Sequence, residues 1–242
     1  MAVSKDWSGR TWTVKHRMDQ PAGPGPNYFS SENVQIDAKD ILTLQMRHID
    51  GKFTCGELYL EEPLGFGTYT FFVKSPLNDL AKEVTFGAFA YPRNESGLEI
   101  DIEAAHFDDN NPASSFNYVL HGLKNGTGDQ LGIFSFPQPR FFWENRGFVH
   151  RFIWEPDRVS FESYTRAYLL DITGSIHFMN VAIASRTFPL PTAWHGVSAD
   201  QSCVHINYYW RPKFAFPNVA PAKHISLSRF QFSRIELSLI HI

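Results

Sequence analysis

Apolar and polar residues alternate along much of the chain, a pattern typical of β-strands that bury one face. Short Gly-, Pro- and Asn-containing turns separate the alternating segments, and no helical pattern of convincing length occurs. The pattern predicts strands at residues 12–15, 33–37, 41–47, 53–60, 67–74, 84–91, 98–103, 115–121, 148–154, 159–164, 177–183 and 203–210. We therefore expect an all-β protein, a β-jelly roll sandwich of two curved antiparallel sheets.

Two stretches alternate less clearly. Residues 122–147 are rich in aromatic residues, include Trp143, and are predicted to form a loop. Residues 225–242 contain no strand-breaking residue and are predicted to form one or two strands. No repeat, low-complexity tract or domain boundary is visible, so we expect a single domain over residues 1–242.

The polar face of one predicted strand consists entirely of acidic residues. In the segment 98–103, Glu99, Asp101 and Glu103 fall on one face, and the apolar residues between them fall on the other. Acids are depleted from strands, and like charges one pleat apart repel each other, so at least one pKa in the row must rise. Such a row suits cation binding or acid/base chemistry; the alternative is a solvated face of an edge strand.

Composition excludes some functions. The formal net charge is −3 and no cluster of basic residues occurs, which argues against a nucleic-acid partner. No apolar run reaches the roughly 18 residues that a membrane span requires, so no membrane association is expected. The first residues form no apolar signal-peptide core. Aromatic residues make up 15% of the chain, enough for a large core, a binding cleft or both.

The two cysteines, Cys55 and Cys203, do not have the spacing of a metal site. A disulfide between them is an open alternative, and two free, largely buried thiols are the preferred interpretation.

The acidic segment and its neighbours resemble the active-site region of glycoside hydrolase family 16, in particular the bacterial lichenases, which are endo-β-1,3-1,4-glucanases. The resemblance extends over roughly residues 33–210. It is carried by Glu-Ile-Asp-Ile-Glu at 99–103 together with residues 53–57, 65–69, 86–92, 116–118, 121–122, 154–157 and 179–180, in the same order.

The resemblance implies a cleft across the concave face of one sheet and a retaining mechanism. Glu99 would be the nucleophile, Glu103 the general acid/base, and Asp101 would orient the nucleophile and modulate its charge. A retaining mechanism places two carboxyl groups about 5–5.5 Å apart. Two long glutamate side chains on a curved strand can lean toward each other over that distance.

Weaker candidates for substrate binding accompany this acidic row. The resemblance matches Tyr91 to an aromatic residue near the catalytic residues, and Glu57 and Asn117 to polar positions that contact sugar in the lichenases. Sugar rings stack on aromatic faces, so Trp143 and Trp194, both in predicted loops, are candidate platforms; for each aromatic residue the alternative is packing.

The chain also departs from the family. The lichenase tryptophan expected after Met179-Asn180, a sugar-binding aromatic, is absent, which argues for a carbohydrate-binding protein without hydrolysis. Tyr59 stands where lichenases have arginine. Cys55 occupies the position of a disulfide partner, but no earlier cysteine exists. These changes leave the acidic row intact and the substrate open.

We expect a retaining endo-glycoside hydrolase acting on a β-linked polysaccharide, foremost a β-glucan. A galactan or xyloglucan substrate and transglycosylation remain open. A non-catalytic carbohydrate-binding protein is the main alternative, and a Ca²⁺ site built from the three acids ranks below both. We expect no catalytic cofactor and a monomer; the family also accommodates structural Ca²⁺, for which no ligands are identified here. Family resemblance implies an extracellular protein, while the lack of a signal peptide leaves the cytoplasm open.

Overall fold

The computed structural model describes residues 3–77, 80–105, 116–137, 147–170, 176–197, 199–211, 213–218, 221 and 224–235. Of residues 166–170 and 176–180 it describes the backbone alone. Within these residues the chain forms strands and three short 3-10 helices, at Ser31–Asn33, Thr192–Trp194 and Ala199–Gln201, and no α-helix.

The described strands, in chain order, are β1 (Val3–Trp7), β2 (Arg10–Val14), β3 (Arg17–Ala22), β4 (Asn27–Phe29), β5 (Val34–Ile36), β6 (Leu42–Leu44), β7 (Arg47–Ile49), β8 (Lys52–Tyr59), β9 (Gly67–Val73), β10 (Val84–Pro92), β11 (Gly97–Ala104), β12 (Phe116–Lys124), β13 (Thr127–Phe136), β14 (Phe148–Glu155), β15 (Arg158–Leu170), β16 (Ile176–Pro189), β17 (Ser202–Trp210) and β18 (Ile225–Arg234).

The strands form two sheets. The first has the order β1-β2-β8-β17-β10-β11-β12-β13, with β4 and β7 also paired to β8, and β3 paired to β4. The second has the order β16-β15-β14-β9-β18-β6-β5. Neighbouring strands are antiparallel except for the short parallel pair β4–β8. The predicted all-β jelly-roll sandwich is confirmed.

The core between the sheets explains why β11 directs its acids outward. Leu98, Ile100 and Ile102 are fully buried in the core, as are Phe71 and Phe152 of the second sheet. Each large aliphatic side chain contributes about 1.5–3 kcal/mol when buried. A slip of one residue would exchange these three side chains for three carboxyl groups, so the register of β11 is strongly fixed.

The prediction of a loop over residues 122–147 is wrong for its first half. β12 continues to Lys124, and β13 occupies Thr127–Phe136. The connection is the two-residue turn Asn125-Gly126, in which both residues have positive φ, the geometry of a type I′ hairpin. β13 is largely exposed and lies at the end of its sheet, so its sequence lacks a clear apolar alternation.

The segment at Met179-Asn180, after which the lichenase tryptophan is missing, lies away from the acidic row. These residues belong to β16, which pairs with β15 in the second sheet. The strand beside β10 is β17, whose residues are far from β10 in sequence. The absence of tryptophan after Asn180 therefore removes nothing from the outer face of the first sheet.

Candidate active site

The acidic row of Glu99, Asp101 and Glu103 lies on the outer face of the first sheet, between β10 and β12. Its neighbours follow from strand register, since opposite residues of antiparallel strands share a face. Glu99 lies opposite His121 on β12, and Asp101 opposite Phe89 on β10.

A cavity of about 410 Å³ lies over this face and is called the cleft from here on. It crosses β8, β17, β10, β11 and β12, so its long direction runs across the strands. Its lining residues are Lys15, Gly23, Pro24, Glu57, Gly87, Phe89, Tyr91, Glu95, Glu99, Asp101, Glu103, His121, His205, Asn207 and Tyr209.

Burial raises the pKa of every acid in the row. It brings the pKa of Glu99 to about 7. Burial, and then the charge of Glu99, brings the pKa of Glu103 to about 8, although Arg211 acts in the opposite direction. Asp101, only 6% exposed, has a pKa well above its usual value because of burial and the flanking charges of Glu99 and Glu103.

These unequal values allow two chemical roles at neutral pH. Glu99 ionises more readily than Glu103, so a carboxylate and a carboxylic acid can coexist two pleats apart. Environments that separate the pKa values of two acids are a mark of acid/base sites. The raised pKa of Asp101 favours its protonated form, which can donate a hydrogen bond to a neighbouring carboxylate.

A second charged group lies at the other end of the cleft. Glu57 is 3% exposed and receives Lys15 Nζ at 2.8 Å on Oε2 and His205 Nδ1 at 3.1 Å on Oε1. Burial alone would raise the pKa of Glu57, but Lys15 and His205 outweigh it and hold that pKa below its usual value. Glu57 is therefore a paired carboxylate.

We expect Lys15→Met to destabilise the fold by about 3 kcal/mol, because it leaves the buried Glu57 carboxylate without its ammonium partner. Urea denaturation measures the free energy of unfolding, with Lys39→Met on the exposed surface as the matched control. The double variant Lys15→Met/Glu57→Gln should recover part of the loss, since it removes the orphaned charge. Equal stability of Lys15→Met and the wild type would contradict this account.

Of the five other residues proposed for substrate binding, Glu57 and Tyr91 line the cleft together with the acidic row. Asn117 lies opposite Glu103, but its buried side chain donates to the Ala105 carbonyl at 3.1 Å and accepts from Ser135 Oγ at 2.7 Å. It faces the same side of the sheet without lining the cleft.

The two tryptophans lie elsewhere. The ring of Trp194 covers Gly122 so closely that a Cβ there would clash. Gly122 is opposite Leu98, whose side chain faces the core, so Trp194 packs on the side of the sheet away from the acidic row. Trp143 lies outside the described residues.

Several residues of the cleft, above all those of β17, were not predicted from the sequence. His205, Asn207 and Tyr209 alternate along that strand and all face the cleft. Asn207 Oδ1 is buried without a hydrogen-bond partner, and it lies over Gly87, where a Cβ would come within 2.7 Å of it. The alternation was visible in the sequence, but the pairing with β10 was not.

Two further observations concern metal ions and membrane-spanning helices in the described part of the chain. There, no group of three or more His, Cys, Asp or Glu side chains is placed to hold one metal ion. The same residues include no helix capable of spanning a bilayer. Both described cysteines are free and buried, as preferred from the sequence.

Comparison with solved structures relates this fold to known enzymes. The chain is similar to a family 16 glycoside hydrolase of the Bacteroides ovatus mixed-linkage glucan locus, whose structure contains a G4G4G3G product. The TM-score is 0.63 and the sequence identity 12%, and the alignment covers 92% of this chain and 94% of that one. It is similar to Bacillus licheniformis β-glucanase, with a TM-score of 0.57, 16% identity and coverage of 93% and 92%. It is also similar to porphyranase B of Zobellia galactanivorans, with a TM-score of 0.60, 11% identity and coverage of 95% and 88%.

No protein-family model and no curated protein sequence matches the chain. At such low identities the structural similarities establish the fold alone. The resemblance to glycoside hydrolase family 16 is confirmed at that level.

Proposed function

We propose that the protein is a retaining endo-glycoside hydrolase that cleaves a neutral β-linked polysaccharide, foremost a β-glucan. The observation that carries the proposal is the acidic row itself. Three carboxyl groups with raised and unequal pKa values lie in a cleft on the outer face of a jelly-roll sheet. The similar solved structures, which include glucan-cleaving enzymes and one bound to a glucan product, support the substrate class.

In the first step, ionised Glu99 attacks the anomeric carbon while protonated Glu103 gives its proton to the leaving oxygen. Asp101 lies between them, and its raised pKa favours the protonated form, which can donate a hydrogen bond to the Glu99 carboxylate. In the second step, Glu103, now a carboxylate, takes a proton from water. The resulting hydroxide attacks the glycosyl-enzyme ester, and Glu99 leaves with configuration retained overall.

The charge of the cleft favours an uncharged polysaccharide. The ionised nucleophile Glu99 and the exposed Glu95 line it near the reacting end, and its one described lysine, Lys15, is already paired with Glu57. Like charges facing each other across an interface oppose binding. A sulfated or carboxylated chain would therefore bind less well than a neutral glucan.

The main argument for a non-catalytic carbohydrate-binding protein no longer holds. That alternative depended on a sugar-binding aromatic missing after Asn180, and β16 lies in the other sheet. The cleft retains Tyr91 and Tyr209, and the acidic row is complete.

The proposal is tested by digesting a panel of mixed-linkage and single-linkage β-glucans, xyloglucan, and neutral and sulfated galactans. We expect oligosaccharides from at least one neutral glucan, and NMR of the first products should show the β-anomer. Linkage analysis of the products identifies the bond that is cleaved. A protein that binds a panel member in affinity electrophoresis but cleaves none would support the binding alternative instead.

A further inference from the structure

We propose that His205 is a substrate-positioning residue that hydrogen-bonds a sugar hydroxyl beyond the cleaved bond, and that Glu57 orients His205 instead of contacting sugar itself. This inference rests on the proposed function, because it requires the cleft to bind a polysaccharide. It also gives a role to a charged cluster that the cleavage steps leave unused.

The ring of His205 is held on three sides. Its faces stack between Tyr59 and Phe89, with centroid separations of 5.1 and 5.0 Å and interplanar angles of 16° and 21°. Its Nδ1 edge contacts Glu57 Oε1. The opposite edge carries Nε2, which has no hydrogen-bond partner among the described residues, and the side chain, 17% exposed, lines the cleft.

The chemistry of the Nδ1 contact decides what Nε2 can do. Glu57 is a carboxylate and can only accept, so Nδ1 carries the hydrogen. In the neutral ring, Nε2 is then an acceptor for a hydroxyl donor. Since the ring faces are covered by Tyr59 and Phe89, His205 offers a sugar its edge and no stacking surface.

Little of Glu57 is accessible to a sugar, because its side chain is 3% exposed and each carboxylate oxygen already accepts a hydrogen bond. Lys15 Nζ occupies Oε2 and His205 occupies Oε1, and the same Lys15 Nζ donates to the Gly23 carbonyl at 2.5 Å. A carboxylate that fixes the tautomer and orientation of a histidine is the arrangement seen around many functional histidines. Here that carboxylate is 3% exposed.

The place of His205 in the sheet identifies which part of the substrate it meets. His205 lies opposite Phe89, which lies opposite Asp101, so two strand spacings of about 4.8 Å each separate it from the acidic row. That distance of about 10 Å exceeds the roughly 5 Å span of a retaining carboxylate pair. His205 therefore reaches a sugar farther along the chain, which lies across the strands.

The test compares His205→Asn with the wild type on two substrates. Asparagine keeps an amide near the Nδ1 position and its bond to Glu57, but it lacks the Nε2 edge. For a long oligosaccharide we expect KM to rise about three- to tenfold with kcat nearly unchanged, the loss of one hydrogen bond in binding. For a short aryl glycoside that does not extend to His205, neither constant should change.

A second variant and a control complete the experiment. His205→Gln places an amide near the Nε2 position and should retain part of the affinity for the long substrate. His224→Asn, an exposed histidine beside the second sheet, should behave as the wild type. Equal impairment of His205→Asn on both substrates would indicate a structural role and overturn the inference, as would unchanged kinetics on both.

Failure of the proposed function gives a different result. If the wild type cleaves no polysaccharide but binds one, the role of His205 can be tested by binding alone, with affinity electrophoresis of both proteins in gels that contain that polysaccharide. Weaker binding by His205→Asn then supports the inference, and equal binding overturns it. A wild type that neither cleaves nor binds any member of the panel overturns both.

Discussion

Glu99→Ala is expected to abolish polysaccharide hydrolysis, with kcat reduced by about 10⁴-fold or more, while the protein remains folded. The variant lacks the carboxylate that attacks the anomeric carbon, and no other described group in the cleft can replace a nucleophile at that place. The fold should tolerate the change, because Glu99 makes no ion pair in the described structure and its charge disfavours its neighbours.

Azide or formate should restore turnover of Glu99→Ala on a glycoside with a good leaving group. A small anion can enter the space that the side chain leaves and attack in its stead. Rescue by azide should yield the α-glycosyl azide, because a single displacement inverts a β-linkage. Glu62→Gln, an exposed acid outside the cleft, is the matched control and should retain full activity. Absence of rescue in a folded variant would count against Glu99 as the nucleophile.

Glu103→Gln is expected to reduce kcat on polysaccharide by about 10²–10⁴-fold, the usual contribution of general acid catalysis. The loss should be much smaller for the formation of the glycosyl-enzyme from a substrate whose leaving group needs no proton. Azide should here give the β-glycosyl azide, since it takes the place of water in the second displacement. If this variant gave the α-glycosyl azide instead, the roles assigned to Glu99 and Glu103 would have to be exchanged.

The pH dependence provides a further check on the same variant. In the wild type, activity should fall as the pH rises through about 8, where Glu103 loses its proton, and as the pH falls below about 7, where Glu99 gains one. With an activated substrate, Glu103→Gln should lose the alkaline limb and keep the acidic one. Rates measured from pH 5 to 10 compare the two profiles, and an alkaline limb that survives in Glu103→Gln would contradict the assignment of Glu103.

Local pattern was sufficient to predict the acidic row and most of the strands, although β1, β3, β4 and β13 were not predicted. In β11 apolar and acidic residues alternate strictly. Because Ile100 and its apolar neighbours are buried in the core, the acidic side chains must lie on the opposite face of the strand. β13 was missed because an exposed strand at the end of a sheet has little apolar alternation in its sequence. The dipeptide Asn125-Gly126 is nevertheless a typical signal for the hairpin turn that precedes it. The sequence therefore predicts best where burial fixes the pattern.

Long-range pairing was beyond the sequence. The contact of His205 with Glu57 joins residues 148 positions apart, and that of Lys15 with Glu57 joins residues 42 apart. No local propensity encodes which distant strand becomes a neighbour of β10. For that reason the acids on one strand were identified, whereas the cluster assembled from β8, β17 and the residue after β2 was not.

The acidic row also determines how folding is linked to protons. In an unfolded chain its two glutamates would titrate near 4.5, whereas in the folded protein they hold their protons to about 7 and about 8. Between these values the two glutamates bind more protons in the native state than in the unfolded state, so their contribution to stability declines as the pH rises from about 4.5 to about 8. The carboxyl groups that equip the cleft for chemistry thus weaken the sandwich toward alkali, whereas the buried His150, whose pKa is lowered to about 3 by burial, weakens it toward acid.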